Sequence, residues 1–500
     1  MLEVKLAGYN VDVEVLEKLK ISGWDGKNNI TPETISAAYA RISRDPRPVT
    51  ELRTDAREEV DKARKSNENI VFKMGHHSVA EHALLNFDIL GLSRLAVEAL
   101  EESRLSAYTE KSQRYITLQG DYAIPAEFNE QEKAVFRETV AKQIEAYKKL
   151  FPILHEHQKK VHSDMLATKG GQNTVEGWAK EDARYALSMA TECQLGFSTN
   201  SRNLEHIIRK LKYNKLAEAR ELGQKLFESA RTIVPSLIIL SDPEAFKKQF
   251  GFEVADGLLA KGKTAVLKAV KKMPRVIGSG PNSKTLKDVK LIYYTEDPDT
   301  KIIAVLASIA TGKDYLSCLK AAKKLGKKGQ LDFIKTIFSE LSEFDSLFRE
   351  FETVNFVLEV ILSSSAFAQM KRHRMMTILK QQYDPSLGVT VPPAIIETKQ
   401  TGIFNKVIDE TDKTYKKLAK TQKYACDYVL TNAHRRRIII NVNLREMYHI
   451  ARLRMDKHAQ WDIQNISRQM AEEVKKAAPL TAMFVCGKDE FLKVKKQFYK

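Results

Sequence analysis

One residue frame occurs twice in this chain, and it constrains the fold more than any other feature. Asn200-Ser201-Arg202, three residues and His206 lie in the first half; Asn443-Leu444-Arg445, three residues and His449 lie in the second. Sixteen residues before each Asn stand Arg184 and Asp427. Arg104 and Arg374 each follow a long apolar segment. The Arg-to-Asn separation is 96 residues in one half and 69 in the other, so one half carries an insertion or a deletion. An alternating, strand-like segment opens each half, MLEVKLAGYN at 1–10 and VKLIYYT at 289–295. A helix is predicted at 31–42, entered through Thr31-Pro32-Glu33-Thr34, and a helix-rich region at 129–240. Helices resume from Lys301. The self-similarity reads as a tandem duplication. It predicts domain one at 1–245, a Lys/Gly-rich linker at 246–285, domain two at 286–488 and a basic tail at 489–500.

Composition limits the function classes. A 43% hydrophobic share over 500 residues excludes a wholly disordered chain. The net charge of +17 implies anionic partners such as nucleotides, phosphorylated cofactors or nucleic acid. Cys193, Cys318, Cys426 and Cys486 are too far apart in sequence for a zinc ribbon or a redox pair, and they suit a reducing cytosol. The most apolar stretch, 354–370, is interrupted by Asn355, Glu359 and three serines, and is too short to span a bilayer. With no secretory leader at the first residues, the expected location is cytoplasmic.

Four clusters hold the candidate chemistry. The densest is Gly75-His76-His77-Ser78-Val79-Ala80-Glu81-His82. Its spacing matches neither a zincin nor its inverted form, so no metal is expected. Ser78 and Glu81 also fit a capping box at a helix entry. Arg372-His373-Arg374, preceded by Gln369, reads either as a solvated helix end or as an anion clamp of guanidinium forks. In Glu110-Lys111-Ser112-Gln113-Arg114-Tyr115, the Ser and Arg can reach one phosphate, or form a polar turn. Finally, Arg445 and His449 are four apart on one helix face, with Arg454 about 140° further round.

The joint order of these clusters resembles the flavin-dependent thymidylate synthases (ThyX type). That family has His-x-Ser/Thr-x-x-Glu-His, then Gln-x-x-Arg-His-Arg, then Asn-Glu-x-Ser-x-Arg-Tyr. Much later come Asn-x-Arg, His or Asn, Arg, and Ala-Gln-Trp-x-Ile. The chain resembles two copies of that domain, and the copies have lost complementary parts. The first keeps His76, Ser78, Glu81, His82, Glu110, Ser112, Arg114, Tyr115, Arg184, Asn200 and Arg202. It has Glu102-Ser103-Arg104 for Arg-His-Arg, Ala99 for the Gln and Leu211 for the late Arg. The second keeps Gln369, Arg372, His373, Arg374, Asn443, Arg445, His449, Arg454 and Ala459-Gln460-Trp461-Asp462-Ile463. It has Lys380, Gln382 and Asp384 in place of the Glu-x-Ser-x-Arg residues, and Asp427 for an Arg.

The resemblance implies an α+β fold, long helices packed on a small, mostly antiparallel sheet, twice over. It implies a methyltransferase converting dUMP to dTMP with methylenetetrahydrofolate and reduced FAD, the flavin being recharged by NADPH. Catalysis falls to Arg454. The dUMP residues are Gln369, Arg372, Glu110, Ser112, Gln113, Arg114 and Arg184. The FAD residues are Ser78, Glu81, Arg372, His373, Arg374, Asn443, Arg445 and His449, with Asn200, Arg202 and His206 as the duplicate set. The family's sites form between subunits of a tetramer, so a composite site shared by the two domains and a homodimeric pseudo-tetramer are expected. The alternatives are a flavoenzyme acting on another uracil compound, RNA included, and a non-catalytic nucleotide- or nucleic-acid-binding protein. His434-Arg435-Arg436-Arg437 and the lysines of 261–284 read as solvated surface, with nucleic acid as their alternative partner.

Overall fold

The computed structural model describes residues 2–499 apart from 25, 28, 43, 115–119 and 274–286. Tyr115 and positions 274–285 of the expected linker lie outside the described residues. The chain forms two compact units. Unit one comprises Met1–Lys142, Ser188–Gly278 and Lys413–Leu430; unit two comprises Gln143–Leu187, Ser279–Asp412 and Thr431–Lys500. They are therefore not the contiguous stretches 1–245 and 286–488. Two helices straddle the division: Thr401–Leu418, divided after Asp412, and Glu130–Val161, whose 32 residues extend about 48 Å. The latter is divided after Lys142.

In unit one, strands β1 (Glu3–Tyr9), β2 (Leu84–Ser93), β3 (Ala107–Glu110) and β4 (Glu192–Asn200) form an antiparallel sheet in the order β1-β2-β4-β3. Alternation along β2 buries Leu85, Phe87 and Ile89. They share a core with Leu204, Ile207 and Leu211 of the helix Ser201–Lys212 and with Leu222 and Leu226 of the helix Ala217–Ala230. Each such side chain contributes about 1.5–3 kcal/mol by leaving water.

Unit two repeats the topology. Strands β5 (Val289–Tyr294), β6 (Asn355–Ser363), β7 (Thr377–Tyr383) and β8 (Arg435–Asn443) run β5-β6-β8-β7, again antiparallel. Even the register repeats. Leu84 faces Asn200 in one unit and Asn355 faces Asn443 in the other. β2 is one residue longer because of a bulge between Leu90 and Leu92, where Gly91 takes φ 68°. A left-handed φ there suits a residue without Cβ.

The structure corrects several local expectations. The stretch 354–370 is a strand followed by the short helix Ser364–Met370. β6 is buried on both faces over most of its length, so its sequence loses the alternation that marks half-buried strands. β4 likewise interrupts the region read as helical at 129–240. Ser78 caps nothing: His77–His82 is a 3-10 helix entered at His76 with no side-chain cap. Residues 491–498 are a helix rather than a free tail, held by Phe491 buried against Phe484. Two helices, Pro243–Phe250 and Gly257–Val270, stand in the expected linker. Arg435, Arg436 and Arg437 are not solvated cations. Arg435 pairs with Asp288, Arg437 with Glu359 at 3.1 Å, and Arg436 lies 3.8 Å over the Tyr383 ring. No helix among the described residues is long and apolar enough to cross a membrane.

The repeated Asn is, first of all, a helix cap. Asn200 accepts from the Asn203 backbone N–H at 2.9 Å and Asn443 from that of Glu446 at 2.8 Å. Each ends a strand and starts a helix. Replacing a cap by Ala costs about 1 kcal/mol. Asn200→Ala should lower the unfolding free energy measured by urea titration by that amount, and an unchanged value would contradict the capping role.

Candidate functional site

In unit two, β6 hands the chain to the helix Ser364–Met370, and the turn 371–374 then leads to β7. Ser363 starts this helix, its Oγ accepting from the Ala366 N–H at 2.9 Å. The helix ends within two turns, which places His373 in the interior and leaves Arg374 exposed. His373 therefore does not belong to a solvated helix end. Its Nε2 accepts from Arg454 Nε at 2.9 Å, and its Nδ1 faces Glu446 Oε1 at 3.5 Å. Nε2 is an acceptor here, so the proton sits on Nδ1, toward Glu446. Burial lowers the imidazole pKa; Glu446 opposes this and Arg454 adds to it. A neutral ring thus anchors a charged guanidinium. His373 Nδ1 and Glu446 Oε1 are both buried and otherwise lack hydrogen-bond partners.

The helix Leu444–Arg454 carries the remaining residues of this set. Asn443, Arg445 and His449 line one pocket of about 220 Å³, together with Glu352, Met375 and Arg452. Arg445 donates to Glu352 at 2.9 Å and to the Leu347 carbonyl at 2.7 Å. Unit one holds the matching pair, Arg202 to Glu81 at 2.5 Å. The sequence reading missed Glu352. It stands three residues after Arg349, as Glu81 stands three after Ser78, and that spacing was the available signal. The pocket's guanidinium and imidazole donors fit part of an anionic dinucleotide such as FAD. Asn443 keeps its Nδ2 donors for a ligand, while Oδ1 already accepts the capping bond.

Arg184 lies in unit two, not with the first-half residues. Its Nη2 donates to Ser365 Oγ at 2.8 Å, and its carbonyl accepts from Asn432 Nδ2 at 2.9 Å. Gln369 Nε2 donates to Gln460 Oε1 at 3.3 Å. Gln460 Nε2 donates to Tyr185 Oη at 2.9 Å, and Tyr185 donates to Asp462 at 2.8 Å. Unit two thus brings together Arg184, Gln369, Arg372, His373, Arg374 and Arg454. Tyr185 was also missed. A Tyr follows both Arg184 and Asp427, which marks the repeat.

The other expected residues lie in unit one. Glu110 ends β3, 3.8 Å from Arg94. Ser112 Oγ accepts from the Arg114 N–H at 3.2 Å, closing a turn that also contains the buried Gln113. His206 is exposed, and partial desolvation, with Lys210 and Arg209 nearby, lowers its pKa. None of the four cysteines is disulfide-bonded, all are buried, and burial pushes the Cys426 thiol up to about 12. That thiol is no nucleophile near neutral pH.

The sequence profile of the family described as "Thymidylate synthase complementing protein" matches residues 27–236 and 290–480. A protein of Chlamydia muridarum named "UPF0159 protein" is 23% identical over 440 residues, covering 85% of this chain and 81% of its own. The "UPF0159 protein Ta1429" of Thermoplasma acidophilum is 23% identical over 493 residues, covering 89% and 93%. The "Flavin-dependent thymidylate synthase" of Clostridium tetani is 28% identical over 245 residues, 48% of this chain but 92% of that protein. Among solved structures, a UMP/dUMP methylase PolB from Streptomyces cacaoi bound with 5-Br dUMP aligns with a TM-score of 0.34 at 15% identity, over 51% of this chain and 98% of that one.

A buried carboxylate beside this turn sets a pH dependence. Asp182 accepts from Trp461 Nε1 at 2.7 Å, and burial pushes its pKa up to about 7. The unfolded value is about 3.9. A raised folded pKa means the associated stability is complete below about pH 4 and is lost as pH rises through about 7. Thermal midpoints of the wild type should fall over that window, and those of Asp182→Asn should fall less. Parallel curves would show that Asp182 titrates normally.

Proposed function

The chain belongs to the thymidylate synthase complementing protein family of methyltransferase-type enzymes, and from that premise we propose that it methylates the uracil ring of dUMP in a flavin-dependent reaction. The observation that carries this reading is the Glu446–His373–Arg454 line of unit two, in which Glu446 and His373 are buried and Arg454 is half-buried. At the corresponding positions unit one has Asn203, Ser103 and Leu211, none of which can hold a charge. Unit one instead retains the turn of Glu110, Ser112, Gln113 and Arg114. Random decay would not sort the losses this way. Both residue sets are needed, each kept in its own unit.

Arg454 supplies the electrostatic step. His373 fixes one edge of its guanidinium, so its charge is oriented before negative charge develops on the pyrimidine, with no reorganisation needed during the reaction. A neutral His373 can only accept at Nε2, so it holds Arg454 without adding a second positive charge. Gln369, Arg372 and Arg184 bind the nucleotide in unit two; Glu110, Ser112, Gln113 and Arg114 serve it from unit one, Ser112 and Arg114 on the phosphate. FAD would be held by Arg372, Arg374, Asn443, Arg445 and His449, with the buried His373 acting through Arg454 rather than on the cofactor. Ser78, Glu81, Asn200, Arg202 and His206 are the corresponding set in unit one. When bound, the flavin supplies the hydride; NADPH restores it and methylenetetrahydrofolate provides the carbon.

The visible spectrum of the purified protein tests this directly. Flavin absorption that dUMP perturbs supports the reading; a colourless protein that FAD cannot reconstitute overturns it. Arg454→Ala should lower turnover by about 10²–10³-fold with FAD content unchanged, whereas equal losses of both would remove Arg454 from the chemistry. Arg114→Ala should raise the KM for dUMP. Growth of a thymidine-requiring strain on this gene separates dUMP from other uracil substrates.

A further inference from the structure

The same constellation underlies both units. In unit two, Ser363 Oγ and Tyr185 Oη both donate to Asp462 Oδ2, at 2.5 and 2.8 Å. In unit one, Ser93 Oγ and Tyr428 Oη both donate to Glu218 Oε2, each at 2.6 Å. Both serines also cap the helix that follows. Unit two then adds an arm that unit one lacks. Gln460 and Gln369 extend from Tyr185, while Leu216 and Ala99 stand at those positions in unit one. The lock therefore serves the fold, and the amide arm is the specialised addition.

The arm has a fixed direction. Tyr185 spends its proton on a carboxylate, so toward Gln460 it can only accept. Gln460 must turn its NH₂ to Tyr185 and its carbonyl to Gln369. Gln369 must then turn its NH₂ to Gln460, and its own carbonyl faces away from the arm. That Oε1 is buried and has no hydrogen-bond partner among the described residues, although the side chain as a whole is partly exposed. The chain of bonds ends on one acceptor.

We propose that Tyr185 and Gln460 are positioning residues that present the Gln369 carbonyl to a ring N–H of the bound pyrimidine, making Gln369 the residue that selects uracil over cytosine. Uracil N3 carries a proton and can donate to this carbonyl. Cytosine N3 is a bare acceptor and would face another acceptor. A free glutamine would flip its amide to suit either base; the arm prevents the flip. The inference rests on the dUMP reading above.

Equilibrium dissociation constants for dUMP and dCMP, measured on the full chain, provide the test. The wild type should bind dUMP at least about tenfold more tightly than dCMP. Tyr185→Phe removes the acceptor for Gln460, and Gln460→Leu cuts the arm while leaving the Ser363–Asp462–Tyr185 lock intact. Both variants should bring the two constants within about threefold of each other. Gln460→Leu, the residue type that unit one has at its equivalent helix entry, stands in if Tyr185→Phe does not fold. A merely structural role would weaken both nucleotides alike. A wild-type ratio kept by both variants, or a wild type indifferent to the base, overturns the inference while the dUMP reading stands. A wild type that binds neither nucleotide overturns both.

Discussion

Each unit is organised around a carboxylate that should be costly to bury. Glu218 and Asp462 are both pushed above the usual carboxylate range by burial, and serine and tyrosine hydroxyls oppose that shift. A hydrogen bond to a charged group is worth about 1.5–3 kcal/mol, and leaving such a group unmet costs at least as much. The interaction also ties distant parts of the chain together. The serine ends the second strand of its sheet, and the carboxylate stands in the first turn of a helix after the last strand. The tyrosine comes from a segment contributed by the other half of the sequence. Burial raises both tyrosine pKa values far enough that their hydroxyls remain donors. Everything described near Gln369 and Arg184 hangs from this anchor in unit two.

The duplicated scaffold separates what the fold needs from what the chemistry needs. The capping asparagines, the Arg–Glu pairs and the hydroxyl–carboxylate locks are present in both units. The buried imidazole, its glutamate and its arginine are present in one. A neutral histidine with an arginine on one edge and a carboxylate near the other is an expensive arrangement in a protein interior. Unit one, which lacks these groups, shows that the topology does not require them.

The sequence revealed the repeat because capped helix entries leave a polar signature: an Asn, an Arg two residues on and a His four further. Both edge strands that open the sheets were legible from their alternation. β6 was not, since it is buried on both faces over most of its length and reads as an apolar run broken by Glu359 alone between Phe356 and Leu362. His373 was legible as a candidate but its burial was not; a histidine flanked by two arginines resembles surface until the short helix Ser364–Met370 is seen to turn it inward. Glu446 and Tyr185 carry no local motif. Their importance lies in partners 73 and 277 residues away in sequence, Glu446 near His373 and Tyr185 near Asp462.

The exchange of segments between halves bears on how the chain reaches its native state. Unit one includes Lys413–Leu430, and unit two includes Gln143–Leu187. During synthesis from the N-terminus, the first unit lacks Tyr428 until most of the polypeptide has emerged. Its buried Glu218 must wait with one donor missing. Contacts of such sequence separation slow folding, because loop closure precedes their reward. Cutting the chain between its two repeats would not yield two domains but two incomplete ones, each missing a helical segment from the other's sequence. The halves are thereby bound to a common fate: neither can be lost, shuffled or inherited alone.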